Sequence, residues 1–159
     1  FRHELGRYFG VHPRNVHAII IGEHGDTQLP VWSLATISGM RLKDYCAQAG
    51  HPYNEEELEA CARRTKEAAY EIIQRKGKTN YGVASVLVHV LEPIITDSDA
   101  IMTVSRVGTY AGVQDVAVSM PCKLNRRGAY QDVPLLLNEK EQDLLKKSAL
   151  SIKKVIDSV

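Results

Sequence analysis

The chain has no apolar run that approaches the length of a membrane span, and the expectation is that no signal peptide precedes its first element. Cysteine is scarce: Cys46, Cys61 and Cys122 are odd in number, widely spaced and without metal-type pairing. That argues against a disulfide framework, leaves no metal site to expect, and reads as three free thiols in a reducing compartment. An excess of charge of one sign is lacking too. A formal net charge of +1 argues against a nucleic-acid partner and against a membrane-surface role. Internal repeats, low-complexity tracts and linkers are absent. What remains is a chain of 159 residues, 44% hydrophobic and 25% charged, an ordinary composition for one globular domain over 1–159 in the cytoplasm.

The start of the chain lacks something as well. Phe1, Leu5, Tyr8 and Phe9 form a helical stripe, yet neither a methionine nor a capping residue precedes them. The expectation is a helix entered part-way along, in a piece of a longer protein.

Further on, Gly10 and Pro13 mark a turn, and the β-branched run Val16–Ile21 predicts a buried strand. Val31–Ile37 reads as a second strand, and Arg41–Ala49 as a short helix stopped by Gly50 and Pro52. Asn54 and Glu57 have capping-box spacing, and Arg75-Lys76-Gly77 close the helix they open. Its stripe of Leu58, Cys61, Ala62, Thr65, Ala68, Ala69, Ile72 and Ile73 predicts a face that is core or subunit interface.

Tyr81–Ile95 is apolar nearly all round, which predicts a helix buried on most sides, disturbed or ended by Pro93, with His89 satisfied in an interior or interface. Strands are expected at Ala100–Val107 and Val116–Met120, with Tyr110–Asp115 as their connection. Asn125-Arg126-Arg127-Gly128 reads as a turn into a strand near Ala129–Val133, its arginines solvated. Asn138 and Glu141 repeat the capping-box spacing before a long amphipathic helix through Ile156. The fold class is α+β, antiparallel strands packed with long helices.

The chemistry centres on Ile21-Gly22-Glu23-His24-Gly25-Asp26-Thr27. Two glycines let the backbone turn sharply and let another surface approach. The imidazole between them, flanked by Glu23 and Asp26, suits a proton donor and acceptor near neutral pH. A plain surface histidine is the alternative on local chemistry alone.

With its continuation Gln28-Leu29-Pro30-Val31-Trp32-Ser33, this stretch closely resembles the active-site segment of L-lactate dehydrogenases in the lactate/malate dehydrogenase family. The resemblance runs from Phe1 to Val159 and covers only that family's carboxy-terminal, substrate-binding half; the dinucleotide-binding Rossmann half is not here. It implies NAD as cofactor, bound mainly by the absent half, and His24 as the acid/base that moves a proton between pyruvate and (S)-lactate. It places the orienting aspartate and the substrate-clamping arginine just before the position of Phe1, which leaves Asp26 as a hydrogen-bonding residue of the loop. Lys76-Gly77-Lys78-Thr79 resembles the family's Lys-Gly-x-Thr stretch and makes Thr79 a substrate-pocket residue, the alternative being a cap for the next helix. Val83 matches a position against the nicotinamide; otherwise it is a core valine.

Arg2 and His17 match the pair that binds fructose bisphosphate in allosterically activated bacterial lactate dehydrogenases, and the family's usual assembly is a homotetramer. Their alternatives are a solvated helix charge and a strand residue facing solvent. Malate or another 2-hydroxy acid remains open as substrate. A rival of another class is that the chain by itself is a non-catalytic oligomerisation and sugar-phosphate-binding module.

Overall fold

The computed structural model describes residues 1–158. Its first helix, α1 (Arg2–Phe9), turns Leu5 and Phe9 inward and ends at Gly10. The run after it does not form one strand. Val16 and His17 (β1) pair antiparallel with Ile37 and Thr36 of β4 (Thr36–Ile37), whereas Ile20 and Ile21 (β2) pair with Pro30 and Leu29 of β3 (Leu29–Pro30). The reason lies in what the run buries. Val16 and Ala18 enter a core with α1, while Ile21 enters a different core built on the large sheet, so the chain must change partners between them.

The expected strand over 31–37 is interrupted as well. Trp32–Leu34 makes one 3-10 turn, in which Glu141 takes the Ser33 N–H in place of a ladder partner and also its hydroxyl, while Glu59 takes the Trp32 indole N–H. β4 returns through Ser38-Gly39 into β5 (Met40–Arg41), which runs straight into α2 (Leu42–Ala49).

Helix α3 (Glu55–Lys76) starts where the cap predicts. Asn54 Oδ1 accepts the Glu56 and Glu57 N–H groups at 2.9 and 3.3 Å, and the Gly77 N–H closes the far end on the Ile73 carbonyl at 2.7 Å. Only the first part of its stripe is core: Leu58 and Cys61 are buried, whereas Ile72 and Ile73 are exposed.

Helix α4 (Tyr81–Thr96) departs further from expectation. Asn80, not Thr79, supplies its cap, accepting the Tyr81 N–H at 3.1 Å. It runs three residues past Pro93, which is its one buried residue, and Tyr81, Val83, Val86, Leu87, Val88, Leu91 and Ile95 are all exposed. Apolar composition predicts that a surface will be covered but not by what, and none of the described residues covers these side chains. His89 is likewise exposed, beside a shallow groove with Glu92, Thr96 and Ser98, rather than interior.

Two long strands follow, β6 (Ala100–Tyr110) and β7 (Val113–Asn125), joined by a tight turn at Ala111-Gly112; most of the expected Tyr110–Asp115 connection is therefore strand. β8 (Gly128–Asp132) adds to the free edge of β7, giving the order β6-β7-β8. One face of β7, with Val116, Val118, Met120 and Cys122, packs under Leu145 and Ala149 of α5 (Glu139–Ile156) and beside Ile21 and Leu29. Burying each such large apolar side chain is worth roughly 1.5–3 kcal/mol. The second core joins α1, α2 and the start of α3 to β1 and β4. The class is α+β with antiparallel sheets. Cys46, Cys61 and Cys122 are free and buried. Among the described residues no helix is long and apolar enough to cross a membrane, and no cluster of side chains could hold a metal ion.

Candidate functional site

The His24 loop leaves the first core at Ile21 and is fastened at four points. Gly22 exchanges two backbone hydrogen bonds with Ser119 of β7, at 2.9 and 3.0 Å. It does so at φ 93°, and a Cβ there would lie 2.6 Å from the Ser148 hydroxyl, so only glycine fits. The next amide, that of Glu23, donates to Ser148 Oγ at 2.7 Å.

The Glu23 carboxylate turns back into the loop, accepting the Thr27 N–H at 3.0 Å and the Thr27 hydroxyl. This bent side chain passes so close to Gly25 that a Cβ at that position would meet Glu23 Oε1 at 2.5 Å. Thr27 Oγ1 also lies 3.2 Å from both Ser148 Oγ and Ser151 Oγ. On the other flank, Lys66 of α3 holds Asp26 twice, by the carboxylate at 2.8 Å and by the backbone carbonyl at 3.3 Å. That hydrogen bond keeps the Asp26 carboxyl below the usual range and lifts the Lys66 ammonium above its own.

The two carboxylates expected to flank the imidazole are therefore committed elsewhere, Glu23 to Thr27 and Asp26 to Lys66. Asp26 acts through an exposed ion pair to another helix rather than within the loop. His24 projects from the fastened loop into solvent, with no hydrogen-bond partner among the described residues. A side chain of this kind is open to a substrate, and its backbone is not free to wander.

The other candidate residues belong to other elements of the fold. Thr79 and Val83 are exposed at the start of α4, Val83 by 56%. Arg2 and His17 are exposed on α1 and β1, two elements packed side by side, and neither carries an ion pair or side-chain hydrogen bond among the described residues. A cleft of about 580 Å³ opens next to the loop, with Asp26, Leu29, Trp32, Leu58, Glu141 and Lys147 in its lining. His24, Thr79 and Val83 do not line it. Ser148, Ser151 and Lys66 are neighbours of the loop with no local signal in the sequence, because each lies on a distant element. Ser148 stands there only as a polar residue among the apolar positions of α5.

The chain belongs to the lactate/malate dehydrogenase family, whose alpha/beta C-terminal domain matches residues 1–159. Among its relatives, a probable L-lactate dehydrogenase of Schizosaccharomyces pombe is 46% identical over the whole chain, which covers 48% of that protein. The L-lactate dehydrogenase of Moorella thermoacetica is 40% identical over 98% of the chain and 50% of its own length. The chain thus spans about half the length of the curated relatives it matches. Two solved structures superpose with a TM-score of 0.91. One is a lactate dehydrogenase from a Medee basin deep-sea metagenome library, 34% identical, covered over 50% of its chain by 98% of this one. The other is the minor L-lactate dehydrogenase of Enterococcus mundtii, 31% identical, covered over 50% of its chain by 99% of this one.

Proposed function

We propose that this chain is the catalytic half of an NAD-dependent L-lactate dehydrogenase, interconverting pyruvate and (S)-lactate. The observation that carries the reading is His24, exposed on a loop fastened to β7, α3 and α5, in a chain whose relatives bear that activity in their names. Reduction of a 2-oxo acid needs a proton at the carbonyl oxygen, and a positioned imidazole can give it and, in the reverse direction, take it from the hydroxyl. The nicotinamide cofactor supplies the hydride when bound. The residues present fit one face of such a group. Val83 is exposed among apolar neighbours on α4, where a flat ring can lie against it, and the dinucleotide's other contacts fall to the part of the family's proteins that this chain does not span.

Thr79, exposed just ahead of α4, offers a hydroxyl and a methyl to the substrate. Arg2 and His17 offer a guanidinium and an imidazole to a fructose bisphosphate activator at an interface of a homotetramer. Three free thiols suit a reducing compartment, the cytoplasm. The test is an NADH-coupled assay of the full-length protein against pyruvate and oxaloacetate. Preference for pyruvate supports the reading; preference for oxaloacetate overturns the lactate assignment.

A further inference from the structure

We infer that Ser148 is a positioning residue for His24, holding from α5 the loop that presents the imidazole; the inference rests on the acid/base reading above. Ser148 is fully buried and 125 positions away in sequence from the amide it holds. It sits on the packed face of α5 with Leu145, Ala149 and Ile152, where helix packing alone asks for an apolar side chain. A hydroxyl buried there is unfavourable unless it is hydrogen-bonded, and both of its partners, the Glu23 N–H and the Thr27 hydroxyl, belong to the His24 loop. Its oxygen accepts the N–H of Glu23, the residue immediately before His24, and lies 3.2 Å from the hydroxyl of Thr27, three residues after it. One side chain therefore fixes both ends of the five-residue span that carries the imidazole.

Two further contacts make this seat specific. Ser151 donates to the Ser148 carbonyl at 2.8 Å and lies 3.2 Å from Thr27 Oγ1, so the hydroxyl pair acts as one fixture. Gly22 approaches so closely that even a methyl group would collide with the Ser148 hydroxyl. A group that transfers a proton must sit within hydrogen-bond reach of the reacting oxygen, and a misplacement of about 1 Å costs on the order of 100-fold in rate. Ser148 touches no reacting atom. It acts through the loop backbone.

The test uses the full-length protein, with pyruvate reduction measured per NADH-binding site and NADH affinity and thermal unfolding measured alongside. Ser148→Ala is expected to lower kcat per site by about 10- to 100-fold while NADH affinity is unchanged. A merely structural role would lower the unfolding temperature and the number of NADH-binding sites and leave kcat per site as in wild type, and that result overturns the proposal. Thr27→Ser, which keeps the hydroxyl, is expected to retain kcat where Thr27→Val loses it. If Ser148→Ala fails to fold, equal rates for the two Thr27 variants overturn the proposal and unequal rates support it. His24→Gln runs in the same series. A slow His24→Gln beside a fast Ser148→Ala removes the positioning role alone, and a fast His24→Gln removes the acid/base reading together with it.

Discussion

Glu141, in the first turn of α5, holds Ser33 twice, taking its backbone N–H at 2.9 Å and its hydroxyl at 2.5 Å. The same carboxylate accepts the Asn138 N–H at 3.1 Å while Asn138 caps Glu141 in return. One buried side chain therefore both starts the last helix and pins the Trp32–Leu34 turn that separates β3 from β4.

Replacing it should be costly. Glu141→Ala loses charge-assisted hydrogen bonds and half of a capping box, and is expected to destabilise the protein by about 2–4 kcal/mol. Ser33→Ala, which keeps the backbone bond, should cost about 1 kcal/mol. Urea unfolding of the full-length protein measures both, and equal stability of Glu141→Ala and the parent would contradict the assigned role.

How far such features could be read in advance depended on whether they are local. The caps at Asn54 and Asn138 lie within three residues of the groups they satisfy, so both long helices were legible with their ends. The run Val16–Ile21 looked like a single strand because its composition is uniform, and only the position of two separate cores shows why it breaks. Asn80 takes the cap that Thr79 offered as its alternative role, since Asn80 directly precedes the first helical residue and its side-chain oxygen reaches the Tyr81 N–H. Apolar content predicts burial of α4 but carries no information about the covering surface. The His24 loop stood out in sequence, but its fastening by Ser148 and Lys66 spans 125 and 40 positions and has no local trace.

The buried thiols should be inert. Burial, with the Asp132 carboxylate beside it, pushes the Cys122 thiol up to about 11, and burial also raises Cys46 and Cys61. At pH 8 on the order of one Cys122 in a thousand is thiolate, the form that reacts. Iodoacetamide at that pH should leave all three unlabelled in the native protein and label all three after denaturation, as read by peptide mass spectrometry. The same shift has a stability consequence. Since the folded value lies above the ordinary thiol value of 9.0, the contribution is fully present below about pH 9 and is lost as pH rises through about 11. Rapid labelling of native Cys122 would contradict the packing around it.

Fructose bisphosphate is expected to raise the apparent pyruvate affinity of the full-length protein through Arg2 and His17. A ligand of this kind acts only by its differential affinity for the active assembly. Pyruvate saturation curves with and without the sugar phosphate measure the effect. A wild-type curve that does not shift, or an Arg2→Gln variant that responds as well, would remove the activator site and leave His24 untouched.

The most direct test of His24 as the proton donor is the steady-state rate of pyruvate reduction by full-length His24→Gln at saturating NADH. General acid–base catalysis contributes typically ~10²–10⁴-fold, so the rate should fall by that order while NADH binding holds. A near-wild-type rate would mean that the proton comes from elsewhere.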